Sequence, residues 1–151
     1  MQILSLMASG SLTPTLCTAS RVRKASRRVS QIYDRELAPY DLTVTQFGLL
    51  VQLRAVPGAA IGALADSMVM DATTVSRNLR PLERRGLVTA EADKDDGRVR
   101  KLKLTPQGRI TLERAIAGWR AAQDYIAGAL GPDEMKALNA ALDRALDRLS
   151  V

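Results

Sequence analysis

Histidine is absent from the 151 residues, and cysteine occurs once, as Cys17. The commonest metal ligand and general base are therefore missing, and one thiol can build neither an intramolecular disulfide nor a cysteine metal site. Hydrolytic and metal-dependent chemistry are disfavoured, so we expect neither an enzyme nor a cofactor. Aromatic residues make up only 3% of the chain. Its core must therefore be aliphatic, and stacking platforms for single-stranded RNA are scarce. No apolar run is long enough to span a bilayer. The short one at Ile3–Ala8 has no basic residue before it, so we expect neither a signal peptide nor a membrane anchor, but a cytoplasmic protein with a loose arm at 1–15. Acidic residues are the minority, 16 against 22 Lys and Arg, giving a net charge of +6 and a pI near 10.0. Such a balance favours a polyanionic partner without naming it.

What is present is 46% apolar residues rich in Ala and Leu, enough for a core built mostly of helices. Val22, Val29, Ile32, Tyr33 and Leu37 recur at helical spacing between Leu16 and Leu37, with Arg21, Arg23, Lys24, Arg27 and Arg28 crowding the first half. Thr43 and Gln46 have the form of a capping box and predict a helix from Val44 to about Ala55. Pro57-Gly58 breaks the chain, and Ile61–Met68 has room for two further turns. Asp71 caps a fourth helix, Ala72–Arg85, stopped by Gly86. The period then changes: Leu87–Ala90 and Val99–Leu104 predict a hairpin around the charged loop Glu91–Arg98. Thr105-Pro106 starts a fifth helix that runs to Gly131-Pro132, and a sixth covers Asp133–Leu149. The fold class is mostly α (α+β), with a single domain at 16–151. Its winged helix-turn-helix core spans about 43–105, flanked by helices at about 16–38 and 106–150. The long amphipathic terminal helices have more apolar face than one copy covers, which predicts a homodimer.

A short helix, a tight turn and a second helix with small polar residues at its start, followed by a basic hairpin, suit the grooves of double-stranded DNA. Thr73, Thr74, Ser76 and Arg77 are short or forked enough to reach base edges and phosphates, and Arg80 would meet the backbone. Arg98, Arg100, Lys101 and Lys103 put four positive charges into six residues at and after the hairpin tip. Alone, the Thr-Thr-x-Ser-Arg run reads as an exposed helical face, and the basic hairpin as a solvated edge that discourages strand pairing. Their order and spacing together favour DNA binding.

Three stretches, Leu82-Glu83-Arg84-Arg85-Gly86-Leu87-Val88, Asp93-Lys94-Asp95-Asp96-Gly97-Arg98 and Leu104-Thr105-Pro106-Gln107-Gly108, resemble the recognition-helix end, wing and helix start of MarR-type regulators. The resemblance extends upstream through Tyr33-Asp34 and Leu42–Phe47. It implies a homodimer on pseudo-palindromic operators, usually a repressor released by a small-molecule effector or an oxidant. It also implies that Asp96 orients Arg98 toward the minor groove and that Arg77 is the recognition-helix arginine. Gly97 departs from the family's common Asp-Arg-Arg wing, removing one cation for which Arg100 and Lys101 can compensate.

Cys17 lies where the hydroperoxide-sensing branch of that family carries a reactive cysteine, and a helix start with Arg21 and Lys24 close by would favour oxidation. The plainer alternative is a small hydrophobe at a dimer contact. With no second cysteine in the chain, a redox cycle would need an outside thiol or Cys17 of a second copy. Trp119 and Tyr33 sit at apolar helical positions and read as core. A non-catalytic RNA-binding module is the remaining alternative to a DNA regulator.

Overall fold

The computed structural model describes residues 17–149. The expected arm at 1–15, and Leu16, lie outside the described residues. Helix α1, Thr18–Leu37, therefore starts just inside the expected boundary. Its apolar stripe ends at Leu37, which is fully buried. Pro39 then sits in a single 3-10 turn, Ala38–Tyr40, and Asp41 takes a left-handed backbone (φ 53°) that reverses the chain. Asp34 of α1 accepts from the Val44 amide at 2.7 Å, tying α1 to the start of α2, Val44–Ala55. The capping box forms as read: the Thr43 hydroxyl accepts from the Gln46 amide, and the Gln46 side chain accepts from the Thr43 amide.

After Pro57-Gly58 the chain makes a two-residue strand, β1 (Ala59–Ala60), which no periodicity announces because it is too short to carry any. Helix α3, Ile61–Ser67, turns through Met68–Met70 into α4, Ala72–Arg84. Val69 in that turn has φ 51° and is exposed, an uncommon place for a β-branched residue. Strands β2 (Val88–Ala92) and β3 (Arg100–Leu104) form the hairpin; β2 lies one to two residues further along than the sequence suggests, and β3 starts one residue later and ends as expected. The sheet order is β1-β3-β2, antiparallel throughout, with Ala59 opposite Leu102 and Ala90 opposite Leu102 on the other side. Helix α5, Pro106–Leu130, and helix α6, Pro132–Arg148, complete the chain.

One aliphatic core joins α2, α3, α4 and the sheet through Leu49, Leu50, Leu53, Leu64, Val75, Leu79 and Leu102. Helix α5 closes it with Leu112 and Ala115. Gly118 of α5 lets α1 approach so closely that a Cβ there would meet the Glu36 carbonyl. The expected core role of Trp119 and Tyr33 agrees with their packing, partly buried, against this cluster. Helix α6 differs: it buries none of its residues, and Leu138, Leu142 and Leu146 stay exposed. Among the described residues no helix is long and apolar enough to cross a membrane.

Candidate nucleic-acid interface

The start of α4 is fixed by Asp71, whose carboxylate accepts from the Thr74 amide at 2.8 Å and from the Thr74 hydroxyl at 2.6 Å. Those bonds, the hydroxyl first, hold the Asp71 carboxyl below its ordinary pKa. Thr74 is therefore part of the cap, and its hydroxyl proton is already committed. Thr73, Ser76, Arg77 and Arg80 line an open concavity together with Ala72, so four of the five expected α4 residues share one face. The Ser76 hydroxyl donates back to the Ala72 carbonyl at 2.8 Å, leaving its lone pairs outward. Among the described residues neither Arg77 nor Arg80 is paired with a carboxylate. Val75, Leu79 and Leu82 hold the opposite face in the core, which fixes the polar face outward.

The wing is organised by Asp93. Its carboxylate accepts from the amides of Asp95 (2.7 Å) and Asp96 (3.1 Å) and pairs with Lys101 across the hairpin. These contacts, Lys101 foremost, lower its pKa to about 2. Asp96 acts one step further on, but on backbone: its carboxylate accepts from the Arg98 amide at 3.0 Å. Among the described residues no ion pair joins it to the Arg98 guanidinium, so Asp96 shapes the turn and leaves that side chain unpaired and exposed. Of the other four wing cations, three are engaged among the described residues and Lys94 is not. Arg100 reaches Glu83 of α4 at 3.2 Å, Lys103 reaches Glu91 at 3.0 Å, and Lys101 holds Asp93. The Arg100–Glu83 bridge joins the wing to the recognition helix as one unit.

Reading the sequence missed Glu83, Asp93 and Arg85. Arg85 donates to the carbonyls of Asp41 and Tyr40, stapling the end of α4 to the turn between α1 and α2. Neither Glu83 nor Arg85 had a local signal, since their partners lie far along the chain. Asp93 did: an Asp two residues before an amide it can bond is an ordinary turn pattern. Cys17 stands exposed immediately before α1, where its carbonyl accepts from the Arg21 amide.

A sequence model described as MarR family matches residues 40–99, the stretch from the α1–α2 turn to the wing. A transcriptional regulator of Mycobacterium tuberculosis, MosR, solved in complex with DNA, is 32% identical; the alignment covers 89% of this chain and 99% of that one, with a TM-score of 0.74. A probable transcriptional regulator from Pseudomonas aeruginosa is 30% identical over 85% of this chain and 96% of its own, with a TM-score of 0.77. An uncharacterized HTH-type transcriptional regulator of Bacillus cereus is 29% identical over 119 residues, 78% of this chain and 79% of its own. A mutant of Escherichia coli MarR complexed with operator DNA shares the fold at a TM-score of 0.80, with 22% identity over 91% of this chain and 99% of that one. Matched in sequence through its helix-turn-helix and wing, and in fold along most of its length, this chain is a winged helix-turn-helix transcriptional regulator belonging to the MarR family, not an enzyme.

Proposed function

We propose that the protein is a homodimeric repressor that binds a pseudo-palindromic operator in double-stranded DNA and releases it when a small molecule binds. The observation that carries this reading is the outward row Thr73, Ser76, Arg77 and Arg80, joined through Glu83 and Arg100 to a wing whose tip presents Arg98. In this arrangement α4 enters the major groove, where Arg77 meets base edges, while Arg98 enters the adjoining minor groove. In this reading Thr74, Arg100 and Lys101 act mainly by holding α4 and the wing in shape. That MosR was crystallised with DNA supports the partner. A second copy of the chain covers the exposed stripe Leu138, Leu142 and Leu146 of α6, and two-fold symmetry places the recognition helices about 34 Å apart, one DNA turn.

Release requires an effector site coupled to that spacing. A cavity of about 200 Å³ between the α1–α2 turn, the end of α4 and the start of α5 is lined by Tyr40, Arg85, Gln107, Thr111 and Arg114, among others. Asp41 also lines it and Arg85 is held by the Asp41 and Tyr40 carbonyls, so Arg114 is the guanidinium left to meet an organic acid. A coupling of ~1–3 kcal/mol would change operator affinity ~5- to 150-fold. The exposed Cys17 keeps oxidation as a second route to release. The reading as a DNA regulator is tested by measuring duplex binding against salt. Arg98→Ala weakens binding to all duplexes and flattens the salt slope, whereas Arg77→Ala also changes which sequences are preferred. Equal, sequence-blind losses from the two variants contradict the assignment of roles.

A further inference from the structure

The largest single share of the chain's surplus charge lies outside the recognition helix and wing. Residues 43–105 carry ten Lys and Arg against seven Asp and Glu, and residues 106–151 are balanced at six each. Residues 17–37 carry six cations against Asp34 and Glu36, an excess of four within a chain whose whole excess is six. Five of those cations, Arg21, Arg23, Lys24, Arg27 and Arg28, lie within eight residues of α1, about 10 Å of helix, and all are exposed. None of the five is within ion-pair distance of a carboxylate among the described residues, and residues 1–16 contain no Asp or Glu. The wing shows the contrast, since three of its five cations are held by carboxylates of the same chain.

We propose that this face of α1 is a second phosphate-binding surface, which takes the backbone of a DNA duplex segment other than the one read by α4. The proposal rests on the DNA reading above and extends it from one duplex contact to two. Spacings of three and four residues stack Arg21, Lys24 and Arg28, and Arg23 with Arg27, along one side of the helix. Four of the five are arginines, whose planar forks match phosphate oxygens. A second copy of the chain fits less well, because the C-terminal helices it would bring are charge-balanced and its own α1 is cationic, so neither offers an acidic surplus. A membrane surface needs a free apolar face, but Val29, Ile32 and Tyr33 are partly buried and Leu37 is fully so, leaving only Val22 of that stripe exposed. Single-stranded nucleic acid needs stacking aromatics, and none occurs between residues 17 and 32.

The experiment uses the full chain bound to a mixed-sequence duplex on beads and asks whether it captures a second, fluorescent mixed-sequence duplex. Wild-type protein captures it, and capture falls steeply with salt. The triple variant Arg23→Gln, Arg27→Gln, Arg28→Gln keeps the wild-type helical circular dichroism and binds the immobilised duplex, but loses capture. The salt slope of capture drops by about 0.9 for each phosphate contact removed. The corresponding triple Arg→Lys variant keeps most of the capture, since it keeps the charge. Wild-type protein that binds the beads but captures nothing overturns the proposal, as does capture that survives in the Gln variant. So does a Gln variant whose only changes are in oligomeric state or in binding to phosphatidylserine vesicles. Failure of the reading by α4 shows separately, as first-duplex binding indifferent to both Arg77→Ala and Arg98→Ala.

Discussion

The backbone carbonyl of Leu87 occupies the space in which a side chain on Gly108 would begin. Around that contact the Thr105 amide donates to the same carbonyl at 3.1 Å, the Thr105 hydroxyl donates to Gly86 at 2.6 Å, and the Gly108 amide donates to the Thr105 hydroxyl at 2.9 Å. The Leu-Thr-x-x-Gly stretch is thus a clasp between the end of the hairpin and the start of α5. Through it the reading head and the long helices hold a set angle.

Gly108→Ala should open this clasp. Alanine favours a helix by ~1 kcal/mol over glycine. Forcing a methyl against backbone typically costs ~1–3 kcal/mol, so the net effect is destabilising. Urea denaturation checks it. An unchanged or higher midpoint would show that the carbonyl moves aside freely.

The pH dependence of the wing follows from Asp93. Its carboxyl titrates near 2 in the folded protein against an ordinary 3.8, so its support for the wing is complete above the ordinary value and is lost as the pH falls toward 2. Amide spectra of residues 93–99 recorded during acid titration should show this late loss. In Asp93→Asn the wing should be loosened at neutral pH already, with that acid step gone. A wild-type midpoint at 3.8 or above would mean that Lys101 and the two amides do not hold the carboxylate.

Glu83→Gln should free Arg100 while removing a negative charge from the reading face. Exposed pairs of this kind are worth ~0–1 kcal/mol, so a gain of at most about fivefold in affinity for mixed-sequence duplex is expected. The salt slope should steepen, and discrimination between sequences should narrow as the wing loses its tie to α4. Tighter binding with undiminished discrimination would assign the bridge to charge balance alone.

Leu142 and Leu146 stand 44% and 65% exposed along α6, too much apolar surface for a helix end to leave in water without purpose. Leu142→Glu with Leu146→Glu should give a monomer by sedimentation equilibrium, with far-ultraviolet circular dichroism largely kept, because neither side chain is in the core. An unchanged sedimenting species would place the dimer contact elsewhere.

Local rules made much of this protein legible before any fold was known. Thr43 with Gln46, Asp71 and Thr105-Pro106 each mark a helix start through bonds that span three residues, so the sequence carries the complete signal. The outward row on α4 was legible for the same reason: helical period alone separates Arg77 and Arg80 from Val75, Leu79 and Leu82. Strand β1 was not, because two alanines become a strand only when Leu102 and Lys101 lie alongside. Nor was the assignment of Arg100 to Glu83 or of Arg85 to the Tyr40 and Asp41 carbonyls. Helix positions were set by the order of residues, because near neighbours and bond geometry suffice to specify them, and charge totals by composition alone. Which cations are already spoken for was decided by tertiary structure, because Coulomb attraction depends on distance in space and the folded chain alone brings those partners together.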